Sequence, residues 1–272
     1  MTSGATSRNY FLASMALLVA VAWIILWTWH QTPYARYLHY GALGSLNVDS
    51  AICRSLSPGP LRDSFVPAVL FVVGWLVMIM AMMLPTTIPL LGIFQRLTRD
   101  RSDHTALVTW LVVGYLAIWV AFSFVVLLLD KVIYLSGGGT TWLYTNGWRI
   151  SAAILLVAGL FQFSSLKYRC LDQCRSPLSF VMQYWRGRDE KRHAFLLGVH
   201  HGIFCIGCCW ALMLLMFVFG TGSVGWMLIL GAVMAVEKNF TWGRHLSLPL
   251  GMLLIGWSGV IIASNWWLLA TV

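Results

Sequence analysis

HAFLLGVHHGIFCIGCCWALMLLMFVFG, residues 193–220, decides how the rest of the chain is read. It is apolar and long enough to cross a bilayer as a helix, which takes about 20 such residues. It nevertheless carries His200, His201, Cys205, Cys208 and Cys209, with Met213 and Met216 further along. At roughly 100° per residue, His201, Cys205, Cys208, Cys209, Met213 and Met216 fall within about a third of the helix circumference. Imidazole, thiol and thioether are the ligand types that soft metal ions prefer. The stretch predicts a membrane helix that handles a soft metal ion, copper(I) first and zinc second. Two thiolates with a His or Met suit copper(I) in a low-coordinate site, whereas zinc wants four ligands in a tetrahedron. The competing reading is that each cysteine is a small hydrophobe that lets helices approach closely, with no metal involved.

The whole composition agrees with a membrane helix. Of 272 residues, 59% are hydrophobic and 10% charged, and the mean hydropathy is +0.78. Soluble domains run near about 45–50% apolar and about 25% charged. An ordinary soluble domain is excluded, and the expected fold class is all-α. The expectation is a polytopic helical bundle forming a single transmembrane domain over residues 1–272. The net charge of +9 does not point to nucleic acid, because basic residues of membrane proteins collect in cytoplasmic loops beside anionic lipid. The cysteines are Cys53, Cys170, Cys174, Cys205, Cys208 and Cys209. Five of them lie in two clusters, unlike a secreted disulfide framework.

Working outward, about seven spans are expected, near residues 10–29, 65–94, 105–129, 148–166, 194–219, 223–236 and 248–269. The first is too long for a signal peptide and lacks a small-residue cleavage site, so it reads as a retained helix. The second contains Pro85 and Pro89, which kink or break it because proline lacks the N–H and clashes with the preceding turn. Residues 31–64 form a loop with Pro33, Pro58, Gly59, Pro60 and Cys53. SGGGTTWLYTNG, residues 136–147, reads as a flexible loop, Thr221 and Gly222 as a tight turn, and Trp266 and Trp267 as an aromatic belt. With the N-terminus inside and the C-terminus outside, Arg36, Arg54, Arg62, Lys131 and Arg149 are the outside basic residues. The rest of the 18 Lys and Arg fall inside, as the positive-inside rule requires.

Three further motifs bear on chemistry. Cys170 and Cys174, in CLDQC, sit in the polar segment 167–192 among Lys167, Arg169 and Arg175. Positive neighbours favour thiolate, and the pair would face a reducing compartment. It is expected to be a metal docking or exit site or a redox pair; the alternative is an interfacial loop. Met78, Met80, Met82 and Met83 precede Pro85, and packing is their simplest role. Glu237 could close a metal site or relay protons, but beside Lys238 it reads first as a helix-end pair anchoring the span at the interface. Asp130 with Lys131 reads as a similar anchor on the other face.

AMMLP in the second span, GLFQFSSLKYRCLDQCRSP after the fourth, GVHHGIFCIGCCWALM in the fifth and EKNFTWGR after the sixth occur in this order. Over roughly residues 65–260 they resemble the bacterial predicted metal-binding integral membrane proteins (domain of unknown function 2182). CLxxCRSP and HGxxCxGCCWALM are the most specific pieces. Thr241 stands where a proline usually follows the EK motif. The resemblance implies metal binding within a bundle of membrane helices and names neither metal nor reaction.

No Walker-type phosphate loop, DKTG-like sequence or HExxH is present, so ATP-driven pumping and metal-dependent hydrolysis are not expected. The leading expectation is a protein, more plausibly not an enzyme, that binds and moves or delivers a soft metal ion, copper(I) preferred. Its site residues would be Cys205, Cys208, Cys209, His201, His200, Cys170, Cys174, Met213, Met216 and Glu237. Two alternatives stand beside it. One is a membrane thiol–disulfide oxidoreductase. The other is a non-catalytic or metal-supplying subunit of a larger membrane metalloenzyme complex. Expected partners are the lipid bilayer, complex subunits and metal donor or acceptor proteins, with no nucleic acid.

Overall fold

The computed structural model describes residues 3–31, 66–99, 101–136, 140–185, 190–219 and 223–266. The expectations for Cys53 and its loop, for the turn at 221–222, for the side chains of Asp130 and Lys131 and for Trp267 lie outside the described residues. Among the described residues ten helices follow one another: α1 (Ser3–His30), α2 (Val66–Met82), α3 (Leu84–Leu97), α4 (His104–Ser136), α5 (Thr140–Phe161), α6 (Ser165–Arg175), α7 (Pro177–Tyr184), α8 (Glu190–Phe219), α9 (Val224–Asn239) and α10 (Ser247–Ser264). A 3-10 turn, Gly243–Leu246, precedes α10. Among the described residues there is no strand, so the all-α expectation holds.

Among the described residues three helical stretches are long and apolar enough to cross a membrane, or up to five if each bent pair counts as one span. The bent pairs are α2 with α3, at 65°, and α5 with α6, at 63°. The first bend falls at Met83, just ahead of Pro85 in the first turn of α3. The Thr86 and Thr87 hydroxyls then donate to the Met83 and Leu84 carbonyls at 2.7 and 2.8 Å. That local bonding satisfies carbonyls which a proline-broken helix would otherwise leave open in an apolar setting. The second bend follows a tightened helix end, where Gln162, Phe163 and Ser164 donate to the carbonyls of Gly159, Leu160 and Phe161. Ser164 then caps α6, accepting from the Leu166 amide at 3.2 Å.

One expectation changes here. Residues 140–147 are helical, forming the start of α5, where a loop was expected. CLDQC, for which an interfacial loop was the alternative reading, is helical, within α6. Its spacing shows why: Lys167, Cys170, Leu171 and Cys174 recur at i, i+3, i+4 and i+7, one helix face. Lys167, Cys170 and Leu171 are buried.

Helix α8 is the axis of the bundle, with α4, α5, α6, α7 and α9 all packed on it and α4 its most extensive neighbour. Glycines permit that closeness. A Cβ on Gly198 would stand 2.0 Å from the Leu111 carbonyl oxygen, and one on Gly114 would stand 2.1 Å from the Phe195 oxygen. Gly198 and Gly202 form a G-x-x-x-G pair, which lets membrane helices touch backbone to backbone. Gly198→Ala is expected to cost about 1–3 kcal/mol, the usual penalty of overpacking, because the obstructing atom belongs to backbone. Gly256→Ala, with nothing within 4 Å of its Cβ, is the neutral control. Thermal unfolding in detergent compares the two. On the outer side of the bundle Val125, Leu128, Leu160 and Val260 are all exposed, an apolar skin that suits lipid.

Candidate metal centre

The sulfur file of α8 faces inward. Cys205, Cys208 and Cys209 are all essentially buried, the most accessible at 2%. Met213 and Met216 continue the buried stripe further along α8. Four other segments close on the Cys205–Cys209 level. From α6, Cys174 brings its thiol to that of Cys208, close enough for the two to interact electrostatically. Cys170 lies so close to α8 that a Cβ on Gly207 would stand 2.6 Å from its sulfur. From α9, the Lys238 ammonium stands 2.9 Å from Cys205 Sγ. From the bend between α2 and α3, Met83 Sδ lies 3.6 Å from the same Nζ. From α4, the Tyr115 hydroxyl is 3.2 Å from Cys205 Sγ.

Each of the four motifs that the sequence singled out therefore supplies part of one buried cluster. The two cysteine motifs, separated by some thirty residues of chain, are not separate sites here. All five described cysteines are free thiols. Cys208 and Cys209 also donate to the Cys205 carbonyl, at 3.1 and 2.9 Å. Such back-bonding satisfies a thiol in the absence of any ion. Among the described residues no three His, Cys, Asp or Glu side chains surround a common point as metal ligands. What stands among the sulfurs is an ammonium.

The remaining expected residues fall as follows. His201 is 4% exposed, and its ring lies 5.8 Å from that of Tyr115 and 5.6 Å from that of Phe180. Its Nδ1 is buried with no hydrogen-bond partner among the described residues. An orphaned polar atom of this kind is costly to bury. His200, next in sequence, stacks on Tyr184 at 4.6 Å, and its Nδ1 meets the Leu196 carbonyl at 2.7 Å. It thus faces α7 and is engaged there.

Glu237 and Lys238 correct an expectation. They are 2% and 6% exposed, not a solvated anchor at the helix end. Consecutive helical residues point about 100° apart, so the two meet different partners. Glu237 Oε1 accepts from Lys167 Nζ at 2.6 Å and from the Ser247 hydroxyl at 2.7 Å. Lys167 also donates to the Gln162 side-chain oxygen. Arg175 holds the next turn by donating to the Phe240 and Thr241 carbonyls, both at 2.8 Å. These contacts pin α6 to the end of α9 and so fix Cys170 and Cys174 against α8.

Lys238, Lys167, Tyr115 and Met83 are the residues that sequence reasoning did not place at the site. Lys167 had a usable signal in its register with Cys170 and Cys174. Tyr115 had none.

Comparison with known proteins gives one family. Residues 72–261 match the family model PpoB2, described as a copper chaperone. That range takes in α3 to α9 and most of α2 and α10, and so every residue of the cluster. No curated protein matches the chain, and no solved structure does.

Proposed function

The chain belongs to the PpoB2 copper chaperone family, and from that premise we propose that it binds copper(I) as cargo inside a membrane bundle and hands it to a partner protein. The observation that carries this reading is the meeting of Cys174 from α6 with Cys205, Cys208 and Cys209 from α8 around one buried cation. Thiolate pairs select copper(I) by softness. Cys208 with Cys174 or Cys205 would be the primary pair. Met83 and His201 stand by as weaker ligands, and Cys170 and Cys209 offer sulfurs for exchange. Met213 and Met216 continue the soft lining along α8, and Glu237 acts through Lys167. His200 would shape the α7 side.

The proposed setting is a bacterial cytoplasmic membrane crossed about seven times, with the N-terminus inside and the C-terminus outside. The charge distribution supports that orientation, and the three to five described stretches apolar and long enough to cross support the membrane setting. Donor and acceptor proteins or subunits of a membrane metalloenzyme complex are the expected partners. No catalytic residue is assigned.

Elemental analysis of the purified protein tests the reading. Copper should accompany the wild type and be lost from a Cys205→Ser, Cys208→Ser variant. Equal, near-zero copper in both after exposure to copper(I) would end it. A second reading, thiol–disulfide exchange, is favoured by the adjacency of Cys174 and Cys208. A reversible Cys174–Cys208 disulfide in a protein that takes up no metal would favour that alternative.

A further inference from the structure

We propose that Lys238 is the residue that matches the charge of the cluster to a monovalent soft cation and so discriminates copper(I) from divalent metals. The inference rests on the copper(I) reading above and adds a determinant of specificity to it. Among the described residues the Lys238 ammonium meets only sulfur, Cys205 Sγ at 2.9 Å and Met83 Sδ at 3.6 Å. The other buried cation nearby, Lys167, is already paired with Glu237 at 2.6 Å. Lys238 is therefore a buried positive charge aimed at the thiols and at no carboxylate.

Charge bookkeeping then separates the metals. No three His, Cys, Asp or Glu side chains converge among the described residues, so the case to weigh is capture by two thiols. When two thiols each release a proton and take one copper(I), the unit carries a single negative charge. The adjacent ammonium cancels it. Zinc(II) on the same two thiolates is neutral, and the ammonium is left as an uncompensated charge in a buried, apolar setting, which is costly. Lys238 does not need to ligate. It is a positioning and charge-matching residue that favours the monovalent ion and opposes the divalent one.

Competition titrations with copper(I) and zinc(II), on the wild type, Lys238→Leu and Lys238→Arg in detergent, test this. Lys238→Leu, which removes the charge and adds no ligand, should lose copper(I) affinity without losing zinc(II) affinity, so that the copper-to-zinc affinity ratio falls by about tenfold or more. Lys238→Arg, which keeps the charge, should keep the ratio near that of the wild type. An unchanged ratio in Lys238→Leu, or a loss of both metals in equal proportion, overturns the proposal. A measurement needing no variant uses silver(I) and cadmium(II), which are both soft and differ in charge. The wild type should exceed a lysine-free dithiol peptide in its silver-to-cadmium affinity ratio by about tenfold, and an equal ratio overturns the proposal. A wild type that binds no copper would instead refute the copper(I) reading itself, and the two failures are thereby distinguishable.

Discussion

Cys174→Ser, a change outside the Cys205–Cys209 run, is expected to cost copper(I) affinity as severely as a change within it. Cys174 belongs to α6 and reaches the cluster only because the chain bends by 63° after α5 and α6 is held against α9. Its thiol faces Cys208. Losing an outer partner of a metal site costs roughly 10–100-fold in affinity, so loss of a direct thiolate should exceed that. Serine keeps the volume and a hydrogen-bonding group, so packing is little changed and the loss reports on sulfur. Competition with a copper(I)-specific chelator reads it. If Cys174→Ser binds like wild type while Cys208→Ser does not, the site lies on α8 alone and the convergence of two helices has no bearing on the metal.

The second large effect belongs to Lys167 and Glu237. Their side chains are 0% and 3% exposed and 2.6 Å apart. Removing one member of a buried pair leaves the other charged and unmatched, at about 3–5 kcal/mol. Lys167→Met should therefore destabilise the protein by an amount of that order. The double variant Lys167→Met, Glu237→Leu should recover most of it, because replacing both ions with apolar groups is often neutral or better. Thermal or denaturant unfolding of the two singles and the double gives the coupling directly. Additive losses would mean that the pair does not carry the α6–α9 junction. Copper(I) affinity should follow stability across this set, since the junction places Cys170 and Cys174.

How far the sequence reaches can be seen residue by residue. The inward face of α8 was legible, because His201, Cys205, Cys208 and Cys209 follow the helical period and all four are buried. The proline bend was legible from Pro85. The helical register of CLDQC was also present in Lys167, Cys170, Leu171 and Cys174, but the charge of the segment argued for a loop. Burial of charge against a partner from another helix overrode that local polarity. Glu237–Lys238 shows the limit most clearly. An acidic and a basic residue at a helix end have the same pattern whether they anchor in headgroups or turn inward. Only the tertiary packing brings Lys167 of α6 to one and Cys205 of α8 to the other. Tyr115, 90 positions from Cys205, reaches the cluster through the glycine-mediated contact of α4 with α8, which no local pattern encodes. Seven spans were expected, whereas α9 is 16 residues long. At about 1.5 Å per residue it falls short of a full hydrocarbon core.

Whether sulfur from both α6 and α8 holds the metal is read by X-ray absorption at the copper K-edge, on the full chain loaded with one equivalent of copper(I). The expected spectrum is that of a low-coordinate copper(I) bound mainly by sulfur, with a clear change in its coordination in Cys174→Ser. Coordination by nitrogen and oxygen only, or a spectrum indifferent to both Cys174 and Cys208, would contradict this.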